Sequence, residues 1–183
     1  MSRVERVPCY DPPVIIRDGH LGDVPAVLAM FDGAVAWLTS LGRTGQWGSE
    51  PFSTDAARVE RITSWATSGG MRVAELDGRP AGCLVVGPAM PYVTPASEPE
   101  LYVRGLVVDR RFHGRGVGAA LLERARAEAA GLGIGLVRVD CYAGGDGRLV
   151  AYYESQGFTR TERFTVGDWP GQLLEARLPA ATG

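Results

Sequence analysis

The sequence predicts one α/β domain with a mixed β-sheet, and three observations support this fold class. The chain has 183 residues, a length that suits a single domain. Strand-like and helix-like patterns alternate along it, and the turn pair Asp77-Gly78 separates two β-rich runs, as in a tight hairpin. Neither an internal repeat nor a linker divides the sequence. We therefore expect an N-terminal tail over residues 1–13 and one domain over residues 14–183.

The N-terminal region is expected to form a short strand and a long helix. The β-branched run Val14-Ile15-Ile16 is typical of a strand. Asp23 then precedes Val24-Pro25, which is the pattern of a capped helix start with proline in the first turn. Apolar residues follow at helical spacing at Val27, Leu28, Phe31, Val35 and Leu38. The glycine-rich segment 42–52 is expected to be a loop.

A second helix and the hairpin are predicted next. Ser53 or Thr54 can cap this helix, which should run to about Thr67. The hairpin strands are expected over residues 71–76 and 82–86. After a proline-rich connection, the remaining elements are a strand over 101–108, a helix over 116–130, a strand over 136–141, a helix over 148–156, and two strands over 158–166 and 173–178.

The composition argues against several classes of function. The 19 basic and 21 acidic residues give a net charge of −2, which disfavours nucleic acid or an anionic membrane as a partner of the whole protein. The chain contains no lysine, which excludes a phosphate-loop lysine and a Schiff-base lysine. No apolar run approaches the roughly 20 residues that span a bilayer, and the N-terminus lacks the apolar stretch of a secretion signal. We therefore expect a cytoplasmic protein.

The cysteines and histidines give no metal site. The cysteines are Cys9, Cys83 and Cys141, and the histidines are His20 and His113. Their spacing matches no zinc-binding pattern, and an odd number of scattered cysteines is typical of free thiols in a reducing compartment. We expect no bound metal.

A glycine-rich turn between a strand and a helix is the most informative segment. Gly114, Gly116 and Gly118 follow the strand that ends at Val108, and a helix begins at once. The free N–H groups at a helix start, together with the helix dipole, bind anions such as a diphosphate. Nearby arginines add positive charge, namely Arg110, Arg111 and Arg115. The spacing therefore predicts a phosphate-binding loop.

A dinucleotide-binding fold is a rival interpretation of this segment. Gly114, Gly116 and Ala119 formally satisfy G-x-G-x-x-G/A, and Asp140 ends the next strand, where a ribose ligand would be expected. In that fold, however, the first glycine follows the strand almost directly, whereas residues 109–113 intervene in this chain. The dinucleotide interpretation is the weaker one.

Two motifs resemble those of the GNAT superfamily of acyl-CoA-dependent N-acyltransferases. Its central motif is a strand ending L-x-V followed by Q/R-x-x-G-x-G/A at a helix start, and Leu106–Val108 with His113–Gly118 fit that register. The later segment Leu149–Phe158 resembles the family's A-x-x-x-Y-E-x-x-G-F. His113 and Leu149 depart from the usual residues. The resemblance covers residues 14–178 in element order.

The resemblance implies a coenzyme A site and a splayed sheet. Backbone N–H groups of the glycine loop would bind the diphosphate, the central parallel strands would separate to admit the thioester, and the Leu106 N–H would polarise its carbonyl. Many members carry asparagine at the position of Asp146. The implied coenzyme-binding residues are Leu106, Val107, Val108, His113, Gly114, Arg115, Gly116, Val117, Gly118, Ala119 and Asp146.

The resemblance also implies that Tyr153 is the general acid that protonates the leaving thiolate. A general base is less clear. Glu100 and Tyr102 lie on alternate positions of the strand that carries Leu106, so their side chains should share a face, and either could accept a proton through water. We expect Glu100 to be the base.

The acceptor pocket of such enzymes normally lies between the first two helices and the last strand pair. Trp37, Gln46 and Trp47 fall in that region, and we expect them to contact the acceptor. The alternative is that the tryptophans belong to the core, as buried tryptophans more often do.

The sequence thus predicts an N-acetyltransferase that moves an acetyl group from acetyl-CoA to an amine by direct attack, without an acyl-enzyme. The acceptor is expected to be a small-molecule or peptide amine, and a homodimer stays open as the assembly state. Two alternatives remain: a non-catalytic acyl-CoA-binding module with an idle Tyr153, and a dinucleotide-binding oxidoreductase.

Overall fold

The computed structural model describes residues 12–179, so most of the predicted tail lies outside the described residues. Within them the chain forms seven strands and four α-helices. The strands are β1 Ile15–Asp18, β2 Met71–Leu76, β3 Arg79–Gly87, β4 Glu100–Val108, β5 Leu136–Tyr142, β6 Thr159–Val166 and β7 Trp169–Arg177. The helices are α1 Val24–Ser40, α2 Ala56–Thr67, α3 Val117–Gly131 and α4 Arg148–Ser155.

One mixed sheet with a single parallel contact organises the described residues. Its strand order is β1-β2-β3-β4-β5-β7-β6, and every neighbouring pair except β4–β5 is antiparallel. The parallel pair is joined only from Glu100 opposite Leu136 to Val103 opposite Val139. Beyond Val103 the two strands separate, which opens a gap in the middle of the sheet. The predicted fold class is confirmed, including the splayed central strands.

Helices cover both faces of the sheet and create two apolar layers. On one face α1 and α2 pack against β2, β3 and β4, with buried side chains at Val27, Phe31, Ile62, Val73, Val85 and Val107. On the other face α3 and α4 pack with Leu121, Leu122, Val137, Val139, Val150 and Phe158 buried. The stretch Leu21–Ser40 has the length and apolar composition of a membrane-crossing helix. Its apolar face, however, is packed against the sheet.

Both predicted helix caps differ from the observed ones. Asp23 occupies the position before α1, but its carboxylate accepts from the guanidinium of Arg17 at 2.7 and 2.9 Å and from the His20 N–H at 2.9 Å. A 3₁₀ turn over Leu21–Asp23 leads directly into α1, so Asp23 has helical backbone angles and gives no side-chain cap to this helix.

The second helix is capped by Asp55 rather than by Ser53 or Thr54. The Asp55 carboxylate accepts from the N–H groups of Ala57 at 2.9 Å and Arg58 at 3.2 Å. Ser53 and Thr54 instead lie in a 3₁₀ turn that begins at the buried Phe52. The burial of this phenylalanine fixes where the turn ends and the helix begins.

The last hairpin is longer than predicted because β7 starts at Trp169, not at residue 173. Pro170 pairs with Thr165 close to the turn, where the missing proline N–H is tolerated. A Cβ at Gly171 would overlap the ring of Phe164 on the neighbouring strand. Pro170 and Gly171 therefore lie inside a strand.

Candidate active site

The glycine loop connects β4 to α3 through two glycines with left-handed backbone angles. A 3₁₀ turn over Arg110–Phe112 follows the strand, and Gly114 and Gly116 both have φ of +76°. This conformation strains other residues, because a Cβ would approach the following carbonyl oxygen. Nothing lies within 4 Å of where a Cβ would stand at either glycine, so the space beside the loop is open.

Free backbone donors point out of the start of α3. The first helical N–H with a backbone acceptor is that of Ala120, which donates to Gly116 O at 3.0 Å. Among residues 12–179, the N–H groups of Val117, Gly118 and Ala119 have no backbone acceptor. A Cβ at Gly118 would overlap the hydroxyl of Tyr152, which explains the glycine there. The loop and helix start together form an anion-binding surface with the helix dipole behind it.

The free edge of β4 continues from this loop into the gap of the sheet. Asp109 donates its N–H to Ala81 O on β3 at 2.8 Å. Successive N–H groups along a strand point to opposite edges, so the N–H groups of Leu106 and Val108 face the gap that β5 leaves open. An extended chain could pair with this edge, because unpaired strand groups accept a further strand.

The remaining predicted coenzyme ligands lie at different distances from this surface. His113 is exposed, lines the central cavity and contacts Arg110 Nη1 through Nδ1 at 3.3 Å. Arg115 is paired with Asp77, the Nη1–Oδ2 distance being 3.1 Å. Asp146 binds Arg43 and Arg148 at 2.9 Å each and lies outside the cavity lining, near the start of α4. Residues 114–119 of the glycine loop are likewise outside this cavity lining, so the role of Asp146 as a coenzyme ligand stays a prediction.

A cavity of about 840 Å³ opens from the gap between β4 and β5. Its walls are α1, α2, the loop between them, and the β6–β7 hairpin, and it is lined by all three predicted acceptor residues, Trp37, Gln46 and Trp47. Trp169 closes the far side, since its indole Nε1–H donates to Gln46 O at 3.0 Å. This hydrogen bond joins the loop between α1 and α2 to the β6–β7 hairpin.

Trp47 belongs to the cavity wall and to the core at once. Its ring meets Phe31 edge-on, with centroids 5.3 Å apart, and Phe52 with centroids 5.8 Å apart. Trp37 is more exposed and lies under the guanidinium of Arg110, 3.7 Å from its ring centroid. Trp47 therefore packs on the core and also lines the cavity, and its contact with an acceptor stays a prediction.

Tyr153 lies on α4 at the inner wall of the cavity. It is buried, with its ring edge-on to Phe158 at a centroid distance of 5.9 Å. Burial raises the pKa of the Tyr153 phenol well above its ordinary value, with smaller contributions from Cys141, Tyr152 and Asp140. The phenol therefore stays protonated at neutral pH and can donate a proton. Cys141 also lines the cavity, but burial raises its thiol pKa to about 12, so it is not a nucleophile at neutral pH.

Glu100 lies outside the cavity lining. Arg138 on the paired strand holds its carboxylate at two points, through Nε and through Nη2, the latter at 3.1 Å from Oε1. Tyr102 lies opposite Arg138 in the strand register. Strand alternation puts Glu100 and Tyr102 on one face of β4, as predicted. The sequence did not show that Arg138 from β5 would bind the Glu100 carboxylate. The structure does not bring Glu100 and Tyr153 together.

Asp140 is the carboxylate that does line the cavity. It follows the last paired residue of β5, where β4 and β5 separate. Tyr102 donates to Oδ1 at 2.5 Å and Tyr92 donates to Oδ2 at 3.3 Å. Burial raises the pKa of Asp140, although both hydrogen bonds oppose the rise. Its place in the sequence suggested only a ribose ligand, and the available signal was a carboxylate near the end of a mostly apolar strand.

Comparisons with known proteins give a consistent result. The acetyltransferase (GNAT) family model matches residues 35–158, which is more than half of the chain. A ribosomal-protein-alanine N-acetyltransferase from Brucella melitensis is 22% identical, covers 90% of this chain and 99% of its own, and superposes with a TM-score of 0.65. The yncA protein of Salmonella typhimurium, solved with its cofactor acetyl-CoA, is 18% identical over 94% and 98%, with a TM-score of 0.62.

A third similar structure is a polyamine N-acetyltransferase from Drosophila melanogaster that forms N-acetylagmatine. It is 20% identical, covers 91% of this chain and 100% of its own, and has a TM-score of 0.58. At these identities the superpositions show a shared fold. No curated protein matches the sequence.

Proposed function

The chain belongs to the acetyltransferase (GNAT) family, and we propose that it transfers an acetyl group from acetyl-CoA to an amine by direct attack, without an acyl-enzyme. One observation carries the proposal. The anion-binding loop lies at one end of the β4–β5 gap, and Tyr153 and Asp140 lie at the cavity into which the gap opens. A thioester with a diphosphate at its far end fits this arrangement.

The coenzyme side acts through the backbone. The N–H groups of Val117, Gly118 and Ala119 would bind the diphosphate, and the free edge of β4 would pair with the pantetheine arm. The Leu106 N–H would donate to the thioester carbonyl oxygen as negative charge develops on it. Such a positioned donor contributes on the order of 10² to 10³ in rate in acyl transfer.

The acceptor side acts through two side chains. Acetyl-CoA supplies an acetyl thioester, and a neutral amine attacks its carbonyl carbon. Asp140 accepts the proton that an ammonium must lose, since it is the partly buried carboxylate on the cavity wall, and it releases that proton to solvent after each turnover. The C–N bond forms as the C–S bond breaks. Tyr153 protonates the departing sulfur and is reprotonated by the proton that the new amide nitrogen loses.

The two alternatives differ in what they require of this site. A dinucleotide-binding oxidoreductase would need an open parallel sheet, whereas β4–β5 is the one parallel pair among the described strands. A non-catalytic acyl-CoA-binding module would use the loop alone. Such a module would give no role to Tyr153, which can donate a proton, or to Asp140, which lines the same cavity. Cytoplasmic localisation and the assembly state stay predictions.

The proposal is tested by following thiol release from acetyl-CoA with a panel of amines, and by mass spectrometry of the acetylated products. We expect amine-dependent thiol release with one acetyl amide formed for each thiol. Calorimetric titration should show binding of acetyl-CoA and none of NADH. Acetyl-CoA binding without product from any amine would indicate the binding module instead, and NADH binding would indicate the oxidoreductase.

A further inference from the structure

Three arginines that line the cavity, Arg61, Arg104 and Arg110, have no carboxylate partner among residues 12–179, and Arg110 instead lies over the Trp37 ring and contacts His113. Arg61 on α2 and Arg104 on β4 both line the cavity and are exposed. Within residues 12–179 neither guanidinium forms an ion pair or a hydrogen bond. Most other described arginines are held by carboxylates, among them Arg17, Arg43, Arg72, Arg111, Arg138 and Arg160. Arg61 and Arg104 are therefore available to a ligand.

Both arginines face the same part of the cavity although they come from different elements. Trp65 follows Arg61 by one helical turn, and its ring lies against Gly105, where a Cβ would be 2.9 Å away. Gly105 is the chain neighbour of Arg104, whose Cδ lies 3.0 Å from where a Cβ would stand at Gly87, the residue paired with Tyr102, so Arg104 lies on the face of β4 that carries Tyr102. Burial raises the pKa of the Tyr92 phenol to about 12, and the charges of Arg61 and Arg104 both oppose that rise. The two guanidiniums therefore lie within electrostatic range of one tyrosine.

Tyr92 connects the two arginines to Asp140. Its hydroxyl donates to Asp140 Oδ2 at 3.3 Å, and its ring stacks on Phe164 at a centroid distance of 5.4 Å. The cavity thus presents one partly buried carboxylate and, on the other side of Tyr92, the unpaired guanidiniums of Arg61 and Arg104. This separation of charge matches a ligand in which an ammonium and a carboxylate lie a few bonds apart, because guanidinium binds carboxylate through two parallel hydrogen bonds.

We propose that the acceptor is a free amino acid, with its ammonium at Asp140 and its carboxylate at Arg61 and Arg104. This inference rests on the proposed function, since it names the acceptor class of the same cavity. A diamine or a guanidino-amine fits less well, because its second positive charge would face two arginines. A peptide N-terminus lacks the negative charge beside its amine and would leave both guanidiniums unpaired.

The test compares free amino acids with the same amino acids as carboxamides, using thiol release to obtain kcat/KM. The variants are Arg61→Gln and Arg104→Gln, and the matched control is Arg79→Gln, an exposed arginine at the start of β3 that lies outside the cavity lining. We expect each cavity variant to lower kcat/KM for the free acid about tenfold, as loss of a charge-assisted hydrogen bond does. The value for the carboxamide and the value of the control variant should be unchanged.

An amino acid and its carboxamide differ in amine pKa, which by itself changes kcat/KM. Each variant is therefore compared with the wild type on the same acceptor, so that this difference cancels. Equal losses on acid and carboxamide, or faster turnover of diamines than of amino acids, would overturn the proposal. If no amine releases thiol, the proposed function fails separately. Calorimetric titration of the acid and its carboxamide onto the CoA-bound protein then decides whether the anion site exists: tighter binding of the acid, lost in both cavity variants, would retain it, and equal binding would exclude it.

Discussion

The two halves of the proposed site use different groups of the chain, main-chain groups in one half and side chains in the other. The proposed coenzyme half consists of main-chain donors and glycines within one short stretch, from the free edge of β4 to the first turn of α3. The acceptor half consists of side chains from α1, α2, β4, β5, α4 and the last hairpin, and it forms only where these elements meet. A main-chain site depends on local backbone angles. A side-chain site depends on the whole fold and can change its ligand by substitution.

The largest effect on kcat is expected at Tyr153, where the coenzyme half meets the acceptor half. Tyr153→Phe keeps the ring that packs on Phe158 and removes only the proton donor. We expect kcat to fall about 10² to 10⁴-fold, the usual contribution of a general acid, with little change in acetyl-CoA affinity. Steady-state kinetics beside calorimetry checks this. Tyr152→Phe is the matched control, because Tyr152 lies against Gly118 outside the cavity lining and should retain kcat. Full activity of Tyr153→Phe would remove this residue from the chemistry.

The pH dependence of kcat/KM in Asp140→Asn tests the acceptor half separately from the coenzyme half. Burial raises the Asp140 pKa, so the carboxylate becomes protonated at a higher pH than an ordinary aspartate, and kcat/KM for the acceptor should fall as pH drops through that pKa. The variant should lower kcat/KM about a hundredfold and lose this acidic limb. Its melting temperature should be unchanged or higher, because a carboxylate with a raised pKa destabilises the folded state when ionised. An unchanged acidic limb would assign the proton transfer elsewhere.

Gly116→Glu tests the coenzyme half alone. The side chain would place negative charge and left-handed backbone strain where the diphosphate is expected. Acetyl-CoA affinity should fall about a hundredfold, which is near 2.8 kcal/mol. Gly133→Glu adds the same charge at a glycine of similar φ, +70°, with equally open surroundings beyond α3. It reports the effect of the added charge and the strain at a site away from the loop. Similar affinity in both variants would show that the loop does not hold the coenzyme.

Trp47→Ala should give the smallest effect and tests whether the acceptor half can be altered independently. Loss of the two ring contacts with Phe31 and Phe52 should cost about 1–3 kcal/mol of stability. The acceptor KM should rise about tenfold, since the indole also lines the cavity, while acetyl-CoA affinity stays constant. Thermal melting beside two-substrate kinetics separates these contributions. A large loss of melting temperature with an unchanged acceptor KM would make Trp47 a core residue only.

The same difference explains what the sequence could predict. Asp77-Gly78 specified the hairpin because a tight turn needs left-handed residues, and Asp77 does have φ of +54°. The glycine loop was predictable for the same local reason. Asp140 was not, because its role depends on the separation of β4 from β5 and on Tyr92, which comes from a proline-rich connection with no periodic pattern. Strand alternation placed Glu100 on the face of β4 that also carries Tyr102, yet only the register with β5 shows that Arg138 binds the Glu100 carboxylate.

Helix starts show the same limit on a smaller scale. Ser53, Thr54 and Asp55 are three consecutive capping residues, and propensity does not choose between them. The choice follows from the burial of Phe52 against Phe31, with ring centroids 4.5 Å apart, which places Asp55 before the first free N–H groups of α2. Tertiary contacts therefore decided the boundary, while the existence of the helix could be predicted from its pattern.

The central claim is that the main chain holds the coenzyme and the side-chain cavity holds the acceptor. A crystal structure with a non-hydrolysable acetyl-CoA analogue tests it most directly. We expect the diphosphate on the N–H groups of Val117, Gly118 and Ala119, the pantetheine along the free edge of β4, and the acyl end in the cavity beside Tyr153. A diphosphate bound elsewhere, or an acyl end directed away from the cavity, would contradict this division of the site.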